Sequence, residues 1–170
     1  MDRHIRVLSA IFVGWTLLAL GCNSLVTTPL CNGFKSYETV KDARNRISQE
    51  GINGPWREES KSLGPPDKRP QYQFMTLSGP FSLSNIPGSL KLTFYNDRLM
   101  STEFSTAKGQ EFLAALQNEQ GKVPPSANKE VVTSGRTRLS YYVDPGGTFR
   151  FLWSDPKLED EWQHWIWHHA

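Results

Sequence analysis

Apolar residues recur with the period of an α-helix in three stretches of the chain. The first is 36–50, where apolar residues lie three or four positions apart and Gly51 follows as a stop. The second is 108–120. The third is 155–169, in which Asp155 stands as a cap and a proline occupies the first turn. The spacing therefore predicts three helices.

Alternation of apolar and polar residues predicts strands between these helices. Residues 89–105 alternate on both sides of Asn96 and Asp97, two residue types that accept the positive φ angles of a tight turn. This pattern predicts a β-hairpin. A second hairpin is predicted over 137–153, with its turn at 144–147.

Shorter apolar stretches predict an extra strand over 71–78 and a short strand over 131–134. The intervening stretch 52–70 is rich in proline, glycine and charged residues and predicts a long loop. The element order indicates an α+β fold, with a single antiparallel sheet built from two hairpins plus an extra strand, helices on one face and a C-terminal helix. The other face, to which we assign Tyr95 and Tyr141, is either a binding surface or packed under the loop.

The chain begins with two arginines and one aspartate, followed by 15 residues, 7–21, without a charged side chain. This is the arrangement of a secretory signal, and the apolar run is shorter than the roughly 20 residues of a membrane-spanning helix. The segment 18–22 (LALGC) resembles the lipobox of bacterial lipoproteins, in which a small residue precedes a cysteine that receives diacylglycerol before the signal is removed. The resemblance implies lipid attachment to Cys22. Asn23 stands where that family's commonest inner-membrane retention signal is aspartate, which implies an outer-membrane protein facing the periplasm.

Cleavage before Cys22 leaves a mature chain of 149 residues with a formal charge of +1. The chain then divides into a signal peptide over 1–21, a lipidated N-terminus and tether over 22–35, and a single α+β domain over 36–170. Ordinary secretory cleavage and an uncleaved anchor are the alternatives. With Cys22 modified, Cys31 has no disulfide partner and is expected to be a buried small residue.

Composition and charge narrow the function classes. The 170 residues carry a formal charge of +2, which is too small for nucleic-acid binding by bulk charge. The sequence holds none of the motifs GxSxG, GxGxxG, GxxxxGK[ST], HExxH or CxxC, which mark hydrolases, nucleotide loops, zinc proteases and redox pairs. We therefore expect no nucleic acid and no cofactor, a membrane contact through the lipid on Cys22, and a protein partner in the envelope.

The three histidines that follow the signal all lie in the last seven residues. On a helix, Asp160, His164 and His168 lie four positions apart on one face, and this trio is the candidate site for a divalent metal. The alternative is that the histidines only interact with the dipole at the end of the helix. Trp167 lies off the apolar stripe of the same helix and is expected to be exposed.

The stretch from 39 to 55, a helix followed by Gly-Pro and then strands, is similar to the corresponding passage in small lipoproteins of outer-membrane assembly machines. Those proteins place two helices before a three-stranded sheet, whereas this chain interposes the stretch 52–70. The resemblance implies a protein-binding accessory. Our first hypothesis is a non-catalytic cell-envelope lipoprotein with a binding, accessory or structural role. The alternative is a small envelope enzyme, or a ligand- or metal-binding protein, that uses Glu103, Tyr141 or the C-terminal histidines in a cleft.

Overall fold

The computed structural model of the chain describes residues 26–50, 52, 54–63 and 72–169. Cys22 and the whole predicted signal peptide lie outside the described residues. No helix in the described part is long and apolar enough to cross a bilayer. The elements described are α1 (Val40–Gln49), β1 (Arg57–Leu63), β2 (Tyr72–Leu83), β3 (Ile86–Tyr95), β4 (Arg98–Thr106), α2 (Gly109–Gln120), β5 (Glu130–Val132), β6 (Arg138–Val143), β7 (Phe149–Ser154) and α3 (Pro156–His169).

The strands form one antiparallel sheet in the order β1-β2-β3-β4-β7-β6-β5. Each of the first three strands pairs with the next one along the chain. After β4 the chain runs through α2 to the far edge of the sheet, and the last three strands return until β7 pairs with β4. The predicted fold class, α+β with a single antiparallel sheet and a C-terminal helix, is confirmed.

The sheet extends beyond the predicted strands in two places. β1 lies inside the stretch predicted as a loop, and as a charged edge strand with exposed side chains it has no apolar alternation to mark it. β2 continues to Leu83 and turns through Ser84 and Asn85, whose φ angles are 50° and 62°, into β3. The same left-handed pair of angles, 49° and 57°, occurs at Asn96 and Asp97, which confirms the predicted tight turn.

The sheet carries helices on both faces, so the prediction that the helices cover one face is wrong for α3. Phe94 of β3 belongs to a large apolar cluster that includes residues of α1 and, from α2, Phe112. The next residue of β3, Tyr95, points to the opposite face, because side chains alternate along a strand. It packs in a second cluster with Leu158 and Trp165 of α3. The C-terminal helix therefore covers part of the face that α1 and α2 leave uncovered.

Side-chain caps explain where α1 and α3 begin. The amide of Asp42 donates to the Thr39 hydroxyl at 3.1 Å, and the Thr39 amide donates back to the Asp42 carboxylate at 3.3 Å, which makes a capping box. At α3, the amide of Lys157 donates to Oδ1 of Asp155 at 2.9 Å, and Pro156 occupies the first helical position. The predicted cap of the C-terminal helix is thus confirmed.

The first described residues, 26–36, cross one end of the sheet. The hydroxyl of Thr137 donates to the carbonyl of Pro29 at 2.6 Å, and the amide of Cys31 donates to the Thr102 hydroxyl at 3.1 Å. The ring of Phe34 is fully buried in the larger cluster. Residues 26–35, which the sequence assigns to the tether, thus lie against the domain.

Candidate functional site

The face opposite α1 and α2 is only partly covered by α3. Nearest the start of α3, the strand register aligns a row of buried hydroxyl residues: Thr76, Thr93, Ser101 and Ser154. The next two rows contain no buried residue and run toward the other end of the strands. They include Ser78, Lys91, Glu103, Leu152 and Ser140 in the first row and Pro80, Ser89, Ser105, Arg150 and Tyr142 in the second. We call these two rows the open face.

Glu103 is the centre of a network on the open face. Arg150 donates from Nη1 to Oε1 of Glu103 at 3.0 Å and from Nη2 to Oδ2 of Asp144 at 3.4 Å. The hydroxyls of Tyr142 and Ser105 donate to Glu103 at 3.5 and 3.4 Å. The guanidinium carbon of Arg150 also lies 6.0 Å from the centroid of the Tyr142 ring. The network therefore restrains Arg150 and Tyr142 on the sheet surface.

The turn between β6 and β7 positions Asp144 for this network. Oδ1 of Asp144 accepts hydrogen bonds from the amides of Gly146 and Thr148, both at 3.0 Å. Gly147 has a φ of 80°, a left-handed conformation that favours glycine. The predicted turn is confirmed, and it leaves Oδ2 of Asp144 to accept from Arg150.

Two groups of the network, Tyr142 and Arg150, have raised pKa values, and each group therefore keeps its proton at neutral pH. Burial raises the pKa of the Tyr142 hydroxyl, and the neighbouring Glu103 carboxylate raises it further. The hydrogen bond to Glu103 raises the pKa of the Arg150 guanidinium. Tyr142 is thus kept as a neutral donor and Arg150 as a cation, so neither is tuned to exchange a proton near neutral pH.

The tyrosines that the sequence assigns to the uncovered face are not the ones that reach the open face. Tyr95 is buried under α3. Tyr141 lies on the face of α2, with its ring 5.5 Å from that of Phe151. Its neighbour Tyr142 points to the open face instead. Leu139 of the same strand is fully buried in the core, and side chains two residues apart on a strand share a face. The alternation therefore assigns Tyr141 to the core face and Tyr142 to the other.

The candidate metal residues lie on α3. His164 and His168 are close, with ring centroids 4.2 Å apart. Among the described residues, however, no three histidine, cysteine, aspartate or glutamate side chains come together as a possible metal site, so Asp160 does not complete a trio with them. Trp167 is 83% exposed, as predicted from its place off the apolar stripe.

Comparison with known protein families, curated proteins and solved structures finds no match to this chain. Its function is therefore inferred from the geometry of its own residues.

Surface grooves flank the segment 54–56 next to β2. One, of about 310 Å³, is lined by Ile47, Trp56, Leu77 and two ion-paired side chains, Arg44 and Glu58. Another, of about 410 Å³, lies between Ile52 and Pro80. Nε1 of Trp56 is buried without a hydrogen-bond partner. A third groove, of about 450 Å³, lies between the end of α2 and the turn after β5. None of these three grooves includes Glu103 or His164.

We predict that the thiol of Cys31 does not react in the folded protein. It is 3% exposed, and burial raises its pKa, so both access and the reactive thiolate are suppressed. In a Cys22→Ser variant, where Cys31 is the only thiol, modification by a disulfide reagent is expected to be roughly a hundredfold slower than in the urea-unfolded chain. Equal rates in the two states would contradict the burial of Cys31.

Proposed function

We propose that this chain is a cell-envelope lipoprotein, anchored to the outer membrane through lipid on Cys22 and facing the periplasm, that binds a protein partner without catalysing a reaction. The observation that carries the proposal is the open face, where Glu103 restrains Arg150 and Tyr142 on strands that no described helix covers at this point. Tyrosine and arginine are enriched at the centres of protein interfaces, because each combines a large contact area with directional hydrogen bonds. The open face offers both in one place.

Restraint of these side chains favours binding. Arg150 is already oriented by Glu103 and Asp144, so a partner that covers it has less side-chain entropy to remove. The surrounding residues of the open face are mostly serines, whose small side chains let a partner approach the strands closely. Arg150 and Lys91 together balance the charges of Glu103 and Asp144, which favours a partner surface without a strong net charge.

The alternative of an enzyme has less support. Glu103 is paired with Arg150 on an open surface of the sheet, whereas catalytic acids and bases work best in clefts that exclude water. The C-terminal histidines, which the enzyme hypothesis places near Glu103, lie on α3. The network of Glu103 is formed with Arg150, Tyr142, Ser105 and, through Arg150, Asp144.

The lipid anchor is supported by the residues of the segment 18–22 and the apolar run before it. Val26, the first described residue, is 64% exposed at the surface of the domain. Mass spectrometry of the N-terminal peptide from cells that make the full chain tests the anchor. We expect Cys22 at the N-terminus with diacylglycerol attached. An intact Met1 or a free Cys22 thiol would contradict the proposal.

Partner binding is tested by in-cell photocrosslinking. A photoreactive residue at Ser105 on the open face is expected to give a discrete crosslinked product, and one at the exposed Ala114 on α2 is not. Replacing Arg150 with alanine, or Tyr142 with phenylalanine in a separate variant, is expected to reduce the product, by about tenfold for the arginine. A product that forms equally at both positions, or that ignores both substitutions, would count against the open face as the binding surface.

A further inference from the structure

The described chain enters the domain at one end of the sheet, beside the turn that joins β5 to β6. Arg136 in this turn donates from Nη2 to the carbonyl of Val26 at 2.6 Å, and the same nitrogen lies 3.5 Å from Oδ2 of the buried Asp155. The position of Val26 relative to the sheet is therefore held by side-chain contacts. We call Val26, Val132 and the turn 133–137 the entry end.

The short connection before Val26 limits the distance between the domain and a lipid anchor on Cys22. Only three residues, 23–25, separate Cys22 from Val26. Four residue steps span at most about 14 Å in any backbone conformation. In a protein anchored by acyl chains on Cys22, Val26 at the entry end therefore lies within about 14 Å of the modified cysteine.

The entry end also has the surface that a bilayer interface accommodates. Val26 is 64% exposed and Val132 is 56% exposed, and both lie next to the turn that holds Arg136. The nearby cations are matched by acidic groups, since Arg136 contacts Asp155 and Arg138 lies 3.7 Å from Glu159. Contact with lipid would therefore come from apolar side chains and the short connection rather than from net charge.

We propose that the entry end is the surface of the domain that rests on the bilayer. This inference builds on the proposed lipid anchor at Cys22, and its occupant is the lipid surface itself, because that is where the chain outside the domain leads. This placement of the entry end also fixes how the open face is oriented relative to the bilayer. Tyr142 lies four residues along β6 from Arg138, or about 13 Å from the entry end. The network of Glu103 and Arg150 is then presented to the periplasm, away from the lipid.

Site-directed fluorescence on the lipidated full-length chain tests this orientation. Because Cys31 is buried and Cys22 carries lipid, a single added cysteine can be labelled selectively. The probe positions are Val132→Cys and Ser134→Cys at the entry end, with Ser89→Cys and Ala114→Cys as exposed controls elsewhere. In phosphatidylcholine vesicles that contain a nitroxide-labelled lipid, we expect quenching at least about twofold stronger at the entry end than at the controls.

A longer connection provides a second test. Inserting about 15 glycine and serine residues after Ser24 allows a mean span of roughly 20 Å and is expected to remove most of the difference in quenching. Uniform quenching at all four positions, or stronger quenching at Ser89→Cys, in protein whose Cys22 carries lipid by mass spectrometry would overturn the orientation alone. An unmodified Cys22 would overturn the proposed anchor and this inference with it.

Discussion

Replacing Asp155 with alanine is expected to lower the free energy of unfolding by about 3–5 kcal/mol. Asp155 is fully buried, caps α3 through Oδ1, and accepts a hydrogen bond on Oδ2 from the Thr28 hydroxyl at 2.9 Å. Arg136 reaches the same oxygen at 3.5 Å. The substitution removes the cap and leaves buried donors without an acceptor, so it loosens the N-terminal segment, the turn after β5 and α3 together.

Urea or thermal unfolding of the purified domain measures this loss. The matched control is Asp160→Ala, which removes an exposed carboxylate from the same helix and should change stability by less than about 0.5 kcal/mol. Similar effects of the two substitutions would show that Asp155 does not join these three elements.

The contribution of Asp155 to the free energy of unfolding should also decrease as the pH is lowered. Burial alone would raise the pKa of its carboxyl, but hydrogen bonds from Ser36 and Thr28 and the charge of Arg136 outweigh burial and hold the pKa below its ordinary value of 3.8. A depressed pKa in the folded state adds stability above the unfolded pKa, and this stability is lost as the pH falls through the folded value.

The stability difference between wild type and Asp155→Asn is therefore expected to be full above about pH 5 and to shrink as the pH falls below about 4. The pKa of Asp42 is also lowered, chiefly by the hydrogen bond from Thr39, but that group is present in both proteins and cancels in the difference. Unfolding in urea at a series of pH values measures the difference. A difference that stays constant from pH 6 to pH 3 would contradict this account of Asp155.

Replacing Phe112 with alanine is expected to cost about 3–5 kcal/mol of stability. Phe112 is fully buried, and its ring centroid lies 4.9 Å from that of Phe104 and 4.6 Å from that of Phe151. Besides Phe112, the buried residues of α2 are Gly109 and Leu116, so this ring is the largest apolar side chain that the helix buries against the sheet. Its loss should leave a cavity that the strands cannot close.

Denaturant unfolding followed by circular dichroism checks the role of Phe112. Phe112→Leu keeps an apolar side chain and should recover more than half of the loss. Gln110→Ala, on the exposed side of α2, should leave the midpoint nearly unchanged. If Phe112→Ala behaves like Gln110→Ala, α2 is not held on the sheet through this ring.

Local signals in the sequence explain which elements could be predicted. The cap of α3 and the turns at 96–97 and 144–147 rest on residues a few positions apart, so short stretches of sequence contain all of their determinants. β1 could not be predicted in the same way, because an edge strand with exposed charged side chains has no alternation. Its pairing with β2 depends on partners outside its own stretch.

The candidate site is only partly predictable from the sequence. The place of Glu103 on a polar strand face marks it as a candidate, but its partner Arg150 lies 47 positions later in the chain. Tyr141 and Tyr142 are adjacent, and an assignment that is wrong by one residue exchanges the two faces of a strand. Only pairing of β6 with β7 decides that Tyr142 joins Arg150 on the open face.

By itself, the sequence determined the helices, the two predicted hairpins and their turns, because hydrophobic period, caps and turn residues act over a few positions. The tertiary structure alone decided that residues 26–35 lie against the domain, since Thr28 and Asp155 are 127 positions apart when their side chains meet. It also decided that α3 covers only part of one sheet face, because helix docking depends on apolar residues that distant strands bring together. The open face and the entry end exist only through such contacts, so no local pattern could have marked either one.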